Sequence, residues 1–344
     1  MSSLPITLLV AAVALASWVG VALVRRYALS RLLDVPNDRS SHSQPTPRGG
    51  GLGLTIAHLA GVIVSGRLGL IGTDVVIALV GGGLLVAAIG FFDDHGHVHA
   101  AWRLLCHFLA FIWAIGWLGV LPPVDFGWGA IDLAWVGTLL LLLYLAWFVN
   151  LFNFMDGIDG IAALQALTMA CAAAMLIAVA DNDLREALPL WLLVAATGGF
   201  LLWNWPPARI FLGDVGSGYL GYALGALALW SVTRDLLTPW VWLILGGAFL
   251  ADATVTLVVR AVHGDALAIA HRSHAYQRLS RHWRSHKRVT IAFLLVNVLW
   301  LVPWAWIATT QPAYGMIVSV AALAPLFVIA VRLGAGRTGD IAAD

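Results

Sequence analysis

Eleven apolar runs, most of them close to the length that crosses a bilayer, leave this chain few folds to choose from. They fall at about residues 5–24, 50–66, 74–92, 101–120, 132–150, 159–180, 187–203, 216–232, 238–260, 289–308 and 313–333. A spanning helix needs roughly 20 mostly apolar residues. Within hydrocarbon every backbone N–H and C=O must be satisfied inside the protein, so such runs become helices. The expectation is an all-α fold: a polytopic integral membrane helix bundle of about 11 transmembrane helices. The second run is short and rich in glycine. Hydrophobic residues at 61% and charged residues at 11% exclude a soluble globular protein. Of the 17 tryptophans, Trp117, Trp128, Trp203, Trp205, Trp230 and Trp240 lie near the ends of runs, as interfacial belts require. Cys106 and Cys171 both lie inside apolar runs, where packing explains them and no disulfide or zinc pattern is visible.

Charge sets the orientation. The first run has no positive residue before it and Arg25-Arg26 after it, opposite to a cleaved signal peptide, so a retained first helix is expected. With the N-terminus outside and eleven spans, the C-terminus is cytoplasmic. Sixteen of the 19 Lys and Arg residues then fall inside, leaving only Arg67, Arg185 and Arg234 outside. The same parity puts five polar clusters on that inner face: 37–51, 93–99, 150–160, 204–217 and 263–286. One domain over residues 1–344 is expected, its site built from cytoplasmic loops 25–50, 93–100, 150–160, 204–216 and 261–288.

Each cluster has a plain reading beside a chemical one. Asp93-Asp94 closes the third run; it suits metal contact or general-base work, or merely a solvated helix end. Asn150 to Gly160 sets Asn150, Asn153, Asp156 and Asp159 between apolar runs, where an unpartnered polar group costs about 1–3 kcal/mol. Asp214 follows a Pro-rich break and opens the eighth run; Mg²⁺ on substrate phosphates needs few carboxylates, while Asp214 and Ser217 could equally cap that helix. His271-Arg272-Ser273-His274 suits phosphate groups. Arg278, Arg281, Arg284 and Lys287 read as a patch against anionic lipid. A transporter would place its ionisable residues near the bilayer midplane; here they sit at helix ends on one face, which disfavours it. A scaffold with charged loops would need no specific constellation.

In order, Pro45-Thr-Pro-Arg-Gly-Gly-Gly51, Phe91-Phe-Asp-Asp94, Asn150-x-x-Asn-x-x-Asp-Gly-Ile-Asp-Gly160, Asn204 to Ser217 and the His-rich last loop resemble the polyprenyl-phosphate N-acetylhexosamine-1-phosphate transferases (glycosyltransferase family 4). The resemblance covers residues 34–280. It implies transfer of a sugar-1-phosphate from a UDP-N-acetylhexosamine donor to undecaprenyl phosphate, with UMP released. It implies Mg²⁺, with Mn²⁺ able to substitute, contact with membrane lipid, no nucleic acid, and a homodimer as one assembly open to it. The location implied is the bacterial inner membrane, with the site facing the cytoplasm. Asp214 matches the family's metal-binding aspartate. Asp93 matches a residue proposed to deprotonate or position the lipid phosphate, with Asp94 in support. Asp156 and Asp159, with Asn150, Asn153 and Asn204, match the nucleotide-sugar set. His271, Arg272 and His274 occupy the histidine motif, and His42 and Arg48 lie where a substrate-binding lysine is usual. On this reading 150–160 orients the donor while the metal sits elsewhere, at Asp214. The His-Arg-Ser-His-Ala-Tyr-Gln form and the missing lysines point to the O-antigen-initiating branch and away from UDP-muramoyl-pentapeptide, the alternative within the family.

Overall fold

The fold is that of a computed structural model, which describes residues 4–34, 44–181, 185–265 and 271–337. His42, and the part of its loop from 35 to 43, lies outside the described residues. The chain forms α1 (Leu4–Arg31), α2 (Gly51–Arg67), α3 (Thr73–His95), α4 (Ala100–Leu118), α5 (Ala134–Met155), α6 (Ile161–Asp181) and α7 (Leu188–Asn204). Then follow α8 (Gly213–Thr233), α9 (Pro239–Leu245), α10 (Gly247–Val262), α11 (Ala275–Trp283), α12 (His286–Leu295), α13 (Val302–Thr310) and α14 (Gly315–Arg332). A π-helical turn, Val296–Leu301, joins α12 to α13.

Every apolar run becomes helix, but the expected count of about 11 full spans is not reached by length. Among the described residues eight helices are long and apolar enough to cross a membrane, or nine if the bent pair α9–α10 counts as one span. The two shorter helices, α2 and α7, have 17 residues each. The chain is thus a multi-pass membrane protein. The bend of 74° between α9 and α10 falls at Gly246-Gly247. It frees the Leu245 carbonyl inside an apolar bundle, and the Gln165 Nε2 donates to it at 3.0 Å. Asn297, in the π-helical turn, holds that glutamine through its Oε1 at 2.6 Å. A broken helix at such a depth persists where side chains re-satisfy its backbone.

The bundle is built round α8, which is buried along nearly its whole length. Outer helices carry the lipid-facing surface: Leu8, Leu15 and Leu23 of α1 and Ile317 and Val320 of α14 are exposed. Trp128 and Trp117 are exposed, as belts require, but Trp230 is 6% exposed and belongs to the core, a correction to its expected place. Cys106 and Cys171 are free thiols.

Two short antiparallel pairs are the only strands among the described residues. The first pairs Leu33 with Pro47 and Asp34 with Thr46. It delivers the segment after it to the α7–α8 loop, where Phe211 N donates to Pro47 O and Gly50 N to Phe211 O. Two loops far apart in sequence are zipped together by backbone bonds at one end of α8.

Candidate active site

The α3–α8 packing is close enough that a Cβ on Gly90 would lie 2.5 Å from Asp214 O. This approach lets the buried carboxylate of Asp94, one turn further along α3, reach the start of α8. It accepts from Asp214 N at 3.0 Å and Val215 N at 3.1 Å. The residue preceding α8 is Leu212, which offers no side-chain cap. Asp94 therefore supplies from another helix the acceptors that the first turn of α8 lacks. The simple expectation that Asp214 caps its own helix gives way to a different arrangement. Its carboxylate is released from capping and accepts from Asn153 Nδ2 at 2.5 Å. Asn153 also donates to Ser217 Oγ at 3.2 Å.

Five loops meet here around a cavity of about 260 Å³. Asp34 and Arg48 come from the α1–α2 loop, Asp94 from the end of α3, and Asn153 to Asp159 from α5–α6. Asn204 and Phe211 to Asp214 come from α7–α8, and Gln277 and His286 from the α10–α12 region. The convergence expected from parity is a geometric fact, since one cavity draws on all five clusters. Asn153 and Asp156 line it alongside Asp214, so 150–160 and the start of α8 share one wall.

Charge in the cavity is lopsided. Among the described residues its wall carries Asp34, Asp94, Asp156, Asp159 and Asp214 against Arg48 and His286. Arg48 Nη2 donates to Asp94 O at 2.7 Å, and its Nε lies 3.9 Å from Asp94 Oδ1. Burial first, then the carboxylates of Asp214, Asp94 and Asp159, push the Asp156 carboxyl well above the usual carboxylate range. Among the described residues no three His, Cys, Asp or Glu side chains are grouped so as to hold a metal on their own. Mg²⁺ does not require that: it takes one or two carboxylates and fills its shell with water and substrate phosphate oxygens. The carboxylate oxygens of Asp214 and Asp156, among crowded carboxylates and with the Asn153 amide holding Asp214, fit such an ion.

The other expected residues separate into those at the cavity and those behind it. Asp159 lines it, with Oδ2 accepting from Ala208 N at 3.0 Å and Oδ1 3.2 Å from His286 Nδ1. Asn204 also lines it, but its amide is spent on backbone: Oδ1 accepts from Gly160 N and Nδ2 donates to Ile210 O, both at 3.0 Å. It locks the α5–α6 and α7–α8 loops together. Asp93 is not in the wall. It pairs with Arg103 and accepts from Val98 N at 2.8 Å, ordering the α3–α4 turn. Asn150 bonds to Ala146 O one turn back and lines a smaller cavity of about 40 Å³, beside Arg103 and His107. That cavity adjoins the first through Asn153 and Asp214.

The histidine motif is the clearest correction. His274 is 2% exposed, with Nδ1 3.2 Å from Asp252 Oδ1. Asp252 also accepts from Ala275 N at 2.9 Å and Tyr276 N at 2.8 Å, so this pair builds the N-terminus of α11. His271 stacks on His274 at 5.0 Å between ring centroids. Burial, then His274 and Arg260, lower its pKa to about 4, leaving the ring neutral. Arg272 presents its carbonyl to Arg281 Nη1 at 3.0 Å. None of the three lines the cavity. Arg278, expected in a lipid patch, instead donates to Leu333 O at 2.8 Å and Arg337 O at 3.0 Å.

Among the polar side chains of the wall, Asp34, Gln277 and His286 escaped the sequence reading. Gln277 had a signal, since it ends the His-Arg-Ser-His-Ala-Tyr-Gln stretch; its place beside Gly157 depends on that residue having no side chain. A Cβ there would meet Tyr276 Oη at 2.2 Å and Gln277 Nε2 at 2.9 Å. His286 sat in a run of basic residues with nothing to single it out.

A model of glycosyl transferase family 4 matches residues 76–232. The probable undecaprenyl-phosphate N-acetylglucosaminyl 1-phosphate transferase of Bacillus subtilis (strain 168) is 28% identical over 284 residues, 80% of this chain and 78% of the relative. The decaprenyl-phosphate N-acetylglucosaminephosphotransferase of Mycolicibacterium smegmatis is 28% identical over 313 residues, 82% of this chain and 76% of the relative. A phospho-N-acetylmuramoyl-pentapeptide-transferase of Streptomyces avermitilis is 34% identical over 199 residues, 53% of this chain and 50% of the relative. The matched segment carries Asp94, Asn153, Asp156, Asp159 and Asp214 of the cavity wall. Residues 76–232 of this membrane protein form a glycosyl transferase family 4 domain.

Proposed function

We propose that this chain moves an N-acetylhexosamine-1-phosphate from a UDP-sugar to undecaprenyl phosphate and so starts a lipid-linked glycan of the cell envelope. An oxygen of the lipid phosphate displaces UMP from the sugar-bearing phosphorus: one P–O bond forms, one breaks, and the lipid gains a pyrophosphate link. The observation that carries the reading is the five-loop cavity in which Asn153, Asp156 and Asp214 stand together at one end of an apolar bundle. A lipid reaches such a place from the bilayer and a nucleotide from water.

Phosphoryl transfer depends mainly on positioning and charge neutralisation. Asp94 fixes the first turn of α8 and thereby aims Asp214. Asn153 holds the Asp214 carboxylate from the opposite helix. Asn204 keeps the two donor-side loops in register. Asp93 acts from the rim through Arg103, beside Asn150. Asp214 and Asp156 would hold Mg²⁺, which would offset the charge of two polyanionic substrates. Sixteen of 19 basic residues on one side in the eleven-span arrangement support an inner-membrane enzyme with its site facing the cytoplasm.

UDP-GlcNAc or a related amino sugar, as in O-antigen initiation, is the donor we favour. The 34% identity to a phospho-N-acetylmuramoyl-pentapeptide-transferase keeps UDP-MurNAc-pentapeptide as the second reading. Purified protein incubated with Mg²⁺, undecaprenyl phosphate and a panel of UDP-sugars, read by UMP release, separates the two. Asp214→Asn should lower transfer about 10³-fold with the fold intact. A chelator should stop turnover without unfolding the helices. Full transfer by Asp214→Asn, or turnover in chelator, overturns the assignment.

A further inference from the structure

The cavity would receive a nucleoside diphosphate, yet its wall is mostly acidic. Asp159 and His286 line that wall as well as Asp214. Of the two wall residues able to carry positive charge, Arg48 is engaged with Asp94 at its main chain and its carboxylate. The other is His286.

His286 is held more firmly than a surface histidine. It opens α12, whose first turn is capped by Ser285 Oγ accepting from Arg288 N at 3.3 Å. Its Nδ1 lies 3.2 Å from Asp159 Oδ1, with the imidazole 18% and the carboxylate 12% exposed. Asp159 is itself fixed, since Ala208 N donates to Oδ2. Thr290, one turn along α12, donates from Oγ1 to Asp159 O at 2.8 Å. Asp159 N also donates to His286 Nδ1 at 3.5 Å, so the same helix grips residue 159 at its carboxylate, its N–H and its carbonyl. These contacts to one ring nitrogen fix the orientation of the imidazole.

We infer that His286, oriented by Asp159, is a substrate-contacting residue that binds a phosphate oxygen of the nucleotide donor. The inference rests on the proposed transfer reaction for its ligand class, and it assigns to α12 the phosphate contact expected of His271, Arg272 and His274. Asp159 is then a positioning residue for His286.

The test is binding, which needs no turnover. UDP and uridine are titrated into detergent-purified protein in Mg²⁺, for the wild type and for His286→Gln, His286→Arg and Thr290→Val. His286→Gln should weaken UDP about tenfold and leave uridine unchanged, because one charge-assisted contact to phosphate is lost. His286→Arg should restore most of the UDP affinity. Thr290→Val, outside the cavity wall, should show the same loss at smaller size. In the transfer assay His286→Gln should raise KM for the UDP-sugar and leave KM for undecaprenyl phosphate as it is. UDP affinity unchanged in folded His286→Gln overturns the inference, as does equal loss of UDP and uridine. Should His286→Gln fail to fold, unchanged UDP affinity in folded Thr290→Val overturns it. A wild type that binds UDP no better than uridine also overturns it. A wild type that binds UDP but releases no UMP from any UDP-sugar sinks the transfer reading alone.

Discussion

Two buried aspartates do the same job in this molecule with different consequences. Asp94, 2% exposed, leaves α3 and accepts two backbone N–H groups from the first turn of α8. Asp252, 3% exposed, leaves α10 and accepts two from the first turn of α11. Both satisfy donors that a helix cannot satisfy itself. They differ in what else surrounds them. Asp252 is closed in by His274 and by Thr256, whose Oγ1 donates to it at 3.1 Å. Asp94 faces the cavity and shares it with Arg48. The helix that Asp94 caps begins with another aspartate, and capping from outside leaves the Asp214 carboxylate in the cavity wall. The helix that Asp252 caps presents Tyr276 and Gln277, which support the wall. Tyr276 Oη donates to Phe154 O at 3.0 Å.

That contrast can be broken by substitution. Asp94→Asn should lower transfer about 10²–10³-fold, since it both misaims Asp214 and removes charge from the cavity. It should also cost about 1–2 kcal/mol of stability through the lost cap. Thermal unfolding in detergent beside UMP release reads both. Asp252→Asn should cost comparable stability, about 1–3 kcal/mol, because its N–H donors are buried. Its transfer should fall by no more than about tenfold, equivalent to 1.4 kcal/mol in the barrier. If Asp252→Asn silences the enzyme at unchanged Tm, the two caps are not of different kinds.

Asp156 sharpens the comparison through pH. Its carboxyl is held above the usual range in the folded protein, so the folded state binds its proton more tightly than the unfolded chain does. The stability this provides is complete below the unfolded value and is lost as pH rises through the folded one. In chelator, Tm should therefore fall as pH rises from the ordinary carboxylate range toward the raised value, and Asp156→Asn should remove that fall. Activity has the opposite slope, rising as the carboxylate ionises and losing this limb in acid. A Tm profile that Asp156→Asn leaves unaltered would mean the crowding of carboxylates has no energetic weight. The smallest effect belongs to Arg278→Gln, whose guanidinium bonds to neither capping aspartate. It should lose about 1 kcal/mol by freeing the Leu333 and Arg337 carbonyls, with KM for both substrates unchanged.

Much of the site was legible because polarity inside an apolar chain is costly and so conspicuous. Asn153, Asp156, Asp159 and Asp214 stand out between greasy runs, and all four line the cavity. Asp93 and Asp94 are equally conspicuous and adjacent, yet only Asp94 reaches the wall. Neighbours on a helix point about 100° apart, and nothing in a doublet says which one faces α8. His271, Arg272 and His274 announce themselves as a phosphate motif, but a histidine can equally close a helix N-terminus, and His274 does. His286 is hidden for the converse reason, being one cation among many in a basic stretch.

The sequence by itself determined that the chain is a helical membrane protein with its polar groups gathered in five connections, because hydrocarbon tolerates apolar helices and penalises everything else. The break at Gly246-Gly247 was not among its readings, since residues 238–260 read as one run. Only the tertiary structure decided which carboxylates are structural and which face the substrate. That choice rests on contacts across long sequence separations: Asp94 with α8, Asp252 with α11, and Asp159 with His286. A buried carboxylate is defined by its donors, and those donors come from elsewhere in the fold.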